Sequence, residues 1–278
     1  MDGAATELRY SVLISVYCKE KAEYLSAAIN SIWYQTVPTD DFVLVCDGPL
    51  SPELDAVVEE NAQKHPDVLH VIRLEENSGL GTALNIGIQE CRHELIARMD
   101  SDDISRPDRC EKQLAVFRAH PEFSIVSGIV EEFSSSVDVV EGRRVLPEKQ
   151  EDILRFARKR NPFNHPCAMY RKSAVEAAGG YQDFHFLEDY YLWIRMLQKG
   201  SIGYNMQEPL LWMRAGSEMY RRRAGRAYAK SQIKLFRYMK DSGFIGTGDY
   251  LISVFMRSVS SVLPNWLRVA IFKIALRK

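Results

Sequence analysis

Ten residues in the first half of the chain, ELIARMDSDD at Glu94–Asp103, carry its clearest structural signal. The first part, Glu94–Met99, is a mostly apolar run of strand length, which predicts a buried β-strand. Three carboxylates follow it directly, at Asp100, Asp102 and Asp103. In open parallel sheets, ligands bind beyond the carboxyl ends of the strands. The stretch therefore predicts both a strand and a ligand site at its end.

Upstream of this stretch, short apolar runs alternate with amphipathic patterns of helical period. The predicted strands are Val12–Tyr17, Phe42–Cys46 and Val68–Leu74, and the predicted helices are Glu23–Trp33, a helix beginning after Ser51, and Leu80–Cys91. Ser51 suits the N-cap of its helix, and Pro52 suits the first turn. The βα alternation predicts an α/β fold, in which helices flank a mostly parallel central sheet.

After Asp103 the alternation breaks. The sequence predicts two short strands, an excursion on the surface, a Pro- and Asn-rich stretch, and four helices of which the last is long and basic. The strands are near Ile125–Val126 and at Leu210–Met213, the excursion is Ser134–Gln150, the Pro- and Asn-rich stretch is Asn161–Tyr170, and the helices are Pro107–Ala119, Ser173–Ala178, Leu187–Gln198 and Glu218–Lys240.

The charges of this 278-residue chain are divided between an acidic body and a basic tail. Residues 1–213 hold 22 Lys and Arg against 34 Asp and Glu, whereas residues 214–278 hold 14 against 3. The net charge of -1 is therefore a cancellation between -12 and +11. This asymmetry indicates a polyanionic partner for the tail, either nucleic acid or a membrane surface.

Composition and cysteine usage narrow the class of protein. With 46% apolar and 26% charged residues, the chain is neither disordered, collagen-like nor a coiled coil. The five cysteines have no zinc-ligand spacing and suggest no disulfide framework, so we expect reduced thiols and a cytoplasmic location. We expect no signal peptide, because the apolar run at Val12 begins too soon and is only about one strand long. We expect no spanning helix either, because Arg257, Arg268 and Lys273 interrupt the best apolar candidate.

Two acidic clusters are candidates for chemistry. The Asp100–Asp103 acids suit Mg²⁺ or Mn²⁺, which take carboxylate oxygens and often bridge to phosphates. The alternative is an acidic loop that caps the helix near Pro107. The pair Glu188-Asp189 opens a helix rich in aromatic residues. It predicts a general base, although acids also stabilise helix N-termini without any catalytic role.

Other candidates are single residues. Asp47 ends the second predicted strand, where it is either a turn residue or an acceptor for a nucleotide base. Tyr17 ends the first, where it either stacks on that base or is half-buried structure. The sequence leaves open whether His165, in an Asn-His-Pro turn, is structural or part of the site. A glycine pair at Gly79 and Gly81 lacks the third glycine of a dinucleotide fingerprint.

Six segments together indicate a protein family far more specifically than any one of them does. They are LISVYCKEKAEYL at Leu13–Leu25, VLVCDGP at Val43–Pro49, ENSGLGTALNIGI at Glu76–Ile88, LIARMDSDDISRPDR at Leu95–Arg109, FNHPCAMYRKS at Phe163–Ser173, and GGY followed by FLEDYYLW within Gly179–Trp193. Together they resemble the inverting family 2 glycosyltransferases with a GT-A fold, most closely the bacterial O-antigen and capsule type. The resemblance covers roughly residues 10–215.

The resemblance implies roles for individual residues. The residues implied to contact the donor are Ser15, Tyr17, Asp47, Arg73, Asn77, Asp100 (at the ribose) and Arg214. Asp102 is implied to ligate the metal, assisted by Asp100 and Asp103. Glu188 is implied to contact the acceptor, and Asp189 is implied to remove its proton as the catalytic base. In the family, a loop after the last core strand often closes over the donor diphosphate, and Arg214 and the run Arg221–Arg223 are in position to reach it. The alternative for any one of these arginines is a solvated helix face. One departure is Cys46, which stands where many members have a second acid before Asp47.

The resemblance also implies an activity and a location. It predicts transfer of a hexose, galactose or glucose, from a UDP-sugar to a lipid-diphosphate-linked sugar, with Mn²⁺ or Mg²⁺ as cofactor. The predicted catalytic domain is 1–215, with a nucleotide-binding half at about 1–103 and an acceptor-binding half at about 104–215. A basic amphipathic helical extension, 216–278, would dock peripherally on the cytoplasmic face of the bacterial inner membrane.

Several alternatives remain at this point. The extension could instead pack on the catalytic body or on a second copy of the chain in a homodimer. A sugar-nucleotide pyrophosphorylase would need a glycine-rich loop after the first strand, where this chain has Cys18-Lys19-Glu20-Lys21. A non-catalytic sugar-nucleotide-binding scaffold would not need both Asp102 and Asp189. The last alternative is a tail that binds nucleic acid, but we expect no nucleic-acid partner.

Overall fold

The computed structural model describes residues 8–215 and 226–262, and a nine-stranded sheet forms its centre. The strands are β1 (Tyr10–Val16), β2 (Phe42–Cys46), β3 (Leu69–Arg73), β4 (Leu95–Asp100), β5 (Ile104–Ser105), β6 (Phe123–Phe133), β7 (Gly142–Arg144), β8 (Met169–Arg171) and β9 (Ile202–Arg214). Their order is β3-β2-β1-β4-β8-β6-β9-β5, and β7 pairs with β6.

The helices cover both faces of this sheet. They are α1 (Ala22–Trp33), α2 (Pro52–Lys64), α3 (Leu80–Glu90), α4 (Arg109–Ala119), α5 (Gln150–Ala157), α6 (Lys172–Ala177), α7 (Glu188–Gln198), α8 (Arg226–Asp241) and α9 (Thr247–Val262). The predicted cap of α2 is confirmed, because the hydroxyl of Ser51 accepts a hydrogen bond from the Leu54 amide at 3.4 Å.

The first four strands are parallel, as predicted. From β1 the chain steps outward to β2 and β3, and then returns to the other side of β1 to form β4. Such a reversal of strand order opens a crevice at the carboxyl ends of the two central strands. The acids at the end of β4 therefore lie at this crevice.

The second half of the sheet is more extensive than the sequence predicted. β6 and β9 run parallel to each other along most of their length, although only short strands near Ile125–Val126 and at Leu210–Met213 were expected. The reason is that both strands carry buried polar residues, such as Glu131 and Asn205, which interrupt the apolar pattern. The expected excursion Ser134–Gln150 contains β7, and α5 begins at its last residue.

Close packing of α3 on the sheet depends on a glycine. A Cβ atom on Gly87 would lie only 2.3 Å from the Cδ1 atom of Leu13 and 2.9 Å from a methyl carbon of Val45. Only a residue without a side chain therefore allows α3 to lie this close to β1 and β2. This contact fixes the position of the loop that leads from β3 into α3, beside the crevice.

Part of the C-terminal segment packs on the body. Leu235, Phe236 and Met239 of α8 are fully buried, and the Phe236 ring lies 6.5 Å from the Tyr190 ring of α7. This agrees with the alternative in which the extension packs on the body. None of the helices in the described ranges is long and apolar enough to cross a membrane.

Several predicted features lie outside the described residues. They are the first part of the long basic helix, from Glu218 to Gly225, the arginine run Arg221–Arg223, the helix interruption near Pro264, and the aromatic residues Trp266 and Phe272.

Phe236→Ala tests whether α8 belongs to the cooperative core. We expect it to lower the free energy of unfolding by about 3–5 kcal/mol, because it leaves a cavity against α7. Urea denaturation measures this loss. Lys230→Ala, at an exposed position of the same helix, should stay within about 0.5 kcal/mol of the unchanged protein. Equal effects of the two substitutions would mean that α8 adds nothing to the core.

Candidate active site

The crevice is formed where β1 and β4 end. Ser15 pairs with Asp100 in the parallel register of the two strands, and Asp100 is the last residue of β4. Ser15 and Tyr17 are half-buried at this edge. The structure thus brings together the first strand end and the acidic cluster, as expected for two neighbouring parallel strands.

Three carboxylates converge beside the end of β4. Asp100, Asp102 and Asp103 each offer an oxygen atom, and these atoms all lie within 4.8 Å of one another. Asp103 is the most deeply buried, with 1% of its surface exposed. Burial, together with the charges of Asp102 and Asp100, holds the pKa of Asp103 well above its usual range. The cluster therefore concentrates negative charge that a cation would offset.

The donor set fits a hard divalent cation. One oxygen of Asp103, Oδ1, accepts a hydrogen bond from the Arg214 amide at 2.8 Å, whereas its buried Oδ2 has no partner among the described residues. A buried oxygen without a partner is costly, and Mg²⁺ or Mn²⁺ binds such oxygens readily. Asp100, Asp102 and Asp103 are thus the residues that would hold the ion.

A buried arginine lies on one side of the cluster. Arg98 is 1% exposed and forms an ion pair with Asp100, two residues further along β4. Its Nε and Nη1 groups have no hydrogen-bond partner in the described part of the chain. A buried guanidinium depends strongly on its carboxylate partner. Asp100 therefore both faces the crevice and compensates the charge of Arg98.

A second arginine lies on the loop side of the cluster. Arg214 donates its Nε–H to the Asp102 carbonyl at 3.1 Å, in addition to the bond from its amide to Asp103. Its guanidinium carbon lies 3.8 Å from the centre of the Tyr24 ring and 4.6 Å from that of Phe133. The two rings and the loop hold this cation beside the acids, and its contact with a donor diphosphate stays a prediction.

Another contact joins the loop after β1 to the acidic loop. The Ser101 hydroxyl donates to the Glu20 carboxylate at 2.9 Å. Next to Glu20, the Lys21 ammonium lies 4.7 Å from the Tyr24 ring centre. This loop, which has no glycine, therefore closes one side of the crevice.

Three predicted donor-binding residues lie around the ends of β2 and β3. Asp47 accepts hydrogen bonds from the Ser78 amide at 2.7 Å, the Gly79 amide at 3.1 Å and the Asn77 side chain at 3.1 Å. Arg73 instead pairs with Asp55 on α2, with a separation of 2.5 Å. In this arrangement Asp47 shapes the loop before α3, and contact with a nucleotide base stays a prediction.

The second acidic cluster opens α7. Asp189 is half-buried, and its Oδ2 accepts a hydrogen bond from the Asn161 side-chain amide at 2.6 Å. Glu188 accepts one from the Phe186 amide at 3.3 Å. Burial raises the pKa of Glu188, and the charge of Asp189 raises it further. Phe186 has a φ of +73°, a rare conformation for a bulky residue, which indicates strain at this turn.

Tyr181 connects the two acidic clusters electrostatically. Burial raises its pKa above the usual range, Arg98 lowers it, and the charges of Asp189 and Asp100 both raise it. A Cβ atom placed on Gly81 would lie 3.6 Å from the Cβ of Tyr181 and 3.5 Å from the Cγ of Glu188, so the turn that carries Tyr181 lies beside the start of α7. The charges of both acidic clusters thus act on one buried tyrosine.

His165 lies beneath this site and not in it. It is 9% exposed, and its Nε2 lies 2.7 Å from the Tyr181 hydroxyl. Burial lowers the pKa of His165 well below its usual range, and the charge of Arg98 lowers it further. The ring is therefore neutral at physiological pH and supports Tyr181.

With this geometry in view, comparison with known proteins gives the family. A family model described as glycosyl transferase family 2 matches residues 11–179. The chain belongs to this family. It is thus a glycosyltransferase, and the prediction from its motifs is confirmed. Family membership favours this activity over the pyrophosphorylase that the sequence left open.

Two relatives match along nearly their whole length. The amylovoran biosynthesis glycosyltransferase AmsE of Erwinia amylovora is 43% identical over 259 residues, which is 92% of this chain and 94% of that protein. The UDP-Gal:alpha-D-GlcNAc-diphosphoundecaprenol beta-1,3-galactosyltransferase of Escherichia coli is 34% identical over 270 residues, 97% of each chain.

Solved glycosyltransferase structures share the fold. The mannosyltransferase PcManGT of Pyrobaculum calidifontis, in complex with GDP-Man and Mn²⁺, has a TM-score of 0.64 at 16% identity, covering 95% of this chain and 73% of its own. TarS residues 1–349 of S. aureus, in complex with UDP-GlcNAc, scores 0.63 at 16% identity, covering 94% and 69%. The predicted GT-A fold is confirmed.

The sequence did not reveal several residues that build this candidate site. Asn161 bonds to Asp189, Glu20 bonds to Ser101, Tyr24 packs against Arg214, and the charges of both acidic clusters act on Tyr181. Each acts on a residue far away in the chain, so no local pattern indicates it. Arg98 lies within the stretch Glu94–Asp103, but its burial depends on tertiary packing, which the sequence pattern does not show.

The pair Arg98–Asp100 gives a stability prediction. Without divalent cations, Asp100→Asn should lower the free energy of unfolding by about 3–5 kcal/mol, because it leaves the Arg98 charge buried and unpaired. Adding Arg98→Met should recover part of this loss, since it removes that charge. Urea denaturation in EDTA measures both.

The matched control is Asp102→Asn, which removes a like charge from the same cluster without removing the partner of Arg98. It should cost much less than Asp100→Asn. The single variant Arg98→Met is measured as well. If the losses of unfolding free energy in Asp100→Asn and Arg98→Met simply add in the double variant, the two residues are not coupled, and the assignment of the pair is wrong.

Proposed function

We propose that this protein is a metal-dependent, inverting hexosyltransferase of bacterial surface polysaccharide synthesis. It moves a hexose, galactose or glucose, from a UDP-sugar to a sugar carried on a lipid diphosphate, as in O-antigen assembly. The reaction takes place at the cytoplasmic face of the inner membrane. Mn²⁺ or Mg²⁺ is the cofactor.

One observation carries this proposal. The relative from Escherichia coli named for transfer from UDP-Gal to GlcNAc-diphosphoundecaprenol aligns over 97% of both chains. The alignment therefore includes the acceptor side and the C-terminal helices as well as the nucleotide-binding strands. The relative named for amylovoran biosynthesis supports the same class of pathway.

Contacts among the described residues support the donor half of this proposal. Ser15 and Tyr17 border the crevice where the nucleotide would lie, and Asp47 with Asn77 shapes its next loop. Arg214 is held beside the acids, where its guanidinium suits phosphate oxygens. A cation held by the acids would offset the charge that develops on the departing diphosphate.

The acceptor half removes a proton. The Asp189 carboxylate takes the proton of the acceptor hydroxyl as its oxygen forms a bond to the anomeric carbon. The bond from this carbon to the diphosphate oxygen breaks, and its electron pair leaves with UDP. Asn161 holds the Asp189 carboxylate in position at 2.6 Å. Attack from the face opposite the leaving group inverts the anomeric centre.

Asp189→Asn is the direct test. We expect transfer to fall by at least about 10²-fold, because a positioned general base contributes about 10²–10⁴-fold. Mn²⁺-dependent binding of UDP should persist, since the donor half is intact. Transfer is measured with UDP-Gal and UDP-Glc on N-acetylglucosaminyl diphosphate carrying an undecyl chain.

The control is Asp183→Asn, an exposed acid shortly before α7, which should keep normal turnover. Full turnover by Asp189→Asn would refute its role as the base. If the unchanged protein binds UDP-sugars but transfers neither hexose to this acceptor, the proposal is wrong, and a non-catalytic sugar-nucleotide-binding scaffold is favoured.

Membrane docking is the second part of the proposal. Leu251, Ile252, Phe255 and Met256 share one face of α9 and are each 59–66% exposed. The segment from residue 214 onward carries 14 basic and 3 acidic residues. An apolar helix face within a basic segment suits an anionic bilayer surface. A lipid-linked acceptor requires the enzyme to reach that surface.

The double variant Leu251→Ser/Phe255→Ser tests this docking. It should reduce co-sedimentation with vesicles containing phosphatidylglycerol by about tenfold, because it removes two large apolar side chains from the bilayer surface. Val139→Ser/Val140→Ser, at exposed apolar positions elsewhere, is the control. Unchanged vesicle binding, together with a shift from dimer to monomer in gel filtration, would assign the face to a homodimer instead.

A further inference from the structure

Basic residues are concentrated at the end of α5. Within the sequence RFARKR, Arg155, Arg158, Lys159 and Arg160 are all exposed. The body as a whole is acidic, with a net charge of -12 over residues 1–213. The segment Arg158–Arg160, here called the basic loop, is therefore a local exception that calls for an explanation.

Two hydrogen bonds hold the basic loop against the first turn of α7. At its start, the Ala157 carbonyl accepts from the Tyr190 hydroxyl at 2.6 Å. At its end, the Asn161 amide donates to Asp189 at 2.6 Å. The residues on both sides of the loop are thus bonded to the proposed base and to its neighbour. Since consecutive Cα atoms are about 3.8 Å apart, the loop cannot lie far from Asp189.

The other end of α7 leads to the proposed membrane helix. Arg158 lines a small surface cavity together with Leu154, Gln198 and the turn residues Gly243 and Phe244. That turn connects α8 to α9, whose exposed apolar face begins a few residues later. The basic loop therefore lies between the base and the apolar helix.

Helix α5 ends within this run of basic residues. Cations in the last turn of a helix interact favourably with its dipole, and Arg155 is such a residue, paired with Asp152. The helix, however, ends at Ala157, and Lys159 and Arg160 lie beyond its cap. In the described residues Arg158 has no carboxylate within 4.0 Å. The Arg158 guanidinium is therefore available to an anionic ligand at the surface.

We propose that the basic loop binds the diphosphate of the lipid-linked acceptor. The inference rests on the proposed function and names the residues that recognise this part of the substrate. With the acceptor hydroxyl at Asp189, the sugar would place its diphosphate at Arg158–Arg160, and the lipid chain would continue toward α9. Guanidinium groups suit the oxygens of a diphosphate because they form paired, charge-assisted hydrogen bonds.

Equilibrium binding of undecyl diphosphate tests the loop without knowledge of the sugar. The double variant Arg158→Gln/Arg160→Gln should bind it about tenfold or more weakly, since two charge-assisted contacts are lost. The matched control, Lys64→Gln/Arg118→Gln, removes two basic residues from the last turns of α2 and α4. It should bind undecyl diphosphate like the unchanged protein. Equal affinity of both variants would overturn the proposal.

Kinetics with two acceptors separates this inference from the proposed function. Two acceptors are compared: N-acetylglucosaminyl diphosphate with an undecyl chain, and the undecyl glycoside of the same sugar, which has no diphosphate. The kcat/KM for the first divided by that for the second should fall about tenfold in the loop variant. If the unchanged protein transfers to neither, the proposed function fails. If it transfers to the diphosphate acceptor and the ratio does not change in the variant, only the assignment of the loop fails.

The basic loop could instead bind the phosphates of UDP or of lipid headgroups, and the binding measurements distinguish these ligands from the acceptor diphosphate. A loss of UDP affinity as large as the loss for undecyl diphosphate would assign the loop to the donor. A loss of binding to phosphatidylglycerol vesicles without any change in undecyl diphosphate affinity would assign it to lipid headgroups. Either result would overturn the proposal.

Discussion

Repulsion among three carboxylates is the constraint around which this site is organised. Asp100, Asp102 and Asp103 bring their oxygens within 4.8 Å of one another, and one of them is fully buried. Arg98 compensates the cluster from the interior, and Arg214 does so from the loop side. Because side chains alternate along a strand, Arg98 and Asp100 point to the same face of β4, so one strand supplies both the charge and its partner.

The position of the acids also requires the sheet to curl. β4 is central and β5 is the far edge of the same sheet, four strand positions away. In a flat sheet, four spacings amount to about 19 Å. The chain from Asp100 to Ile104 covers four residues, at most about 14 Å. The sheet must therefore bend back on itself, and this brings the end of β9, with Arg214, to the end of β4.

The sequence predicts best what depends on neighbouring residues. β1 to β4 and α1 to α3 follow from local periodicity, and the acids were found because they directly follow a strand. β6 and β9 were underestimated because Glu131, which interrupts the apolar pattern, is paired with Arg106 and Arg143 from other elements. The bond between Asn161 and Asp189 joins residues 28 positions apart, so only the tertiary fold reveals it.

Helix α7 links the proposed base to the C-terminal helices. Its first turn carries Asp189, and its last residue, Gln198, bonds to the Tyr238 hydroxyl at 3.1 Å and to the Ser242 carbonyl at 3.2 Å, next to the turn before α9. With 11 residues, α7 is about 16 Å long, so the proposed base and the start of the apolar helix are held at a fixed separation. An acceptor that contacts Asp189 and also reaches the apolar face of α9 must have a polar part about as long as α7. The basic loop lies along this path, where the diphosphate of the proposed acceptor would meet it.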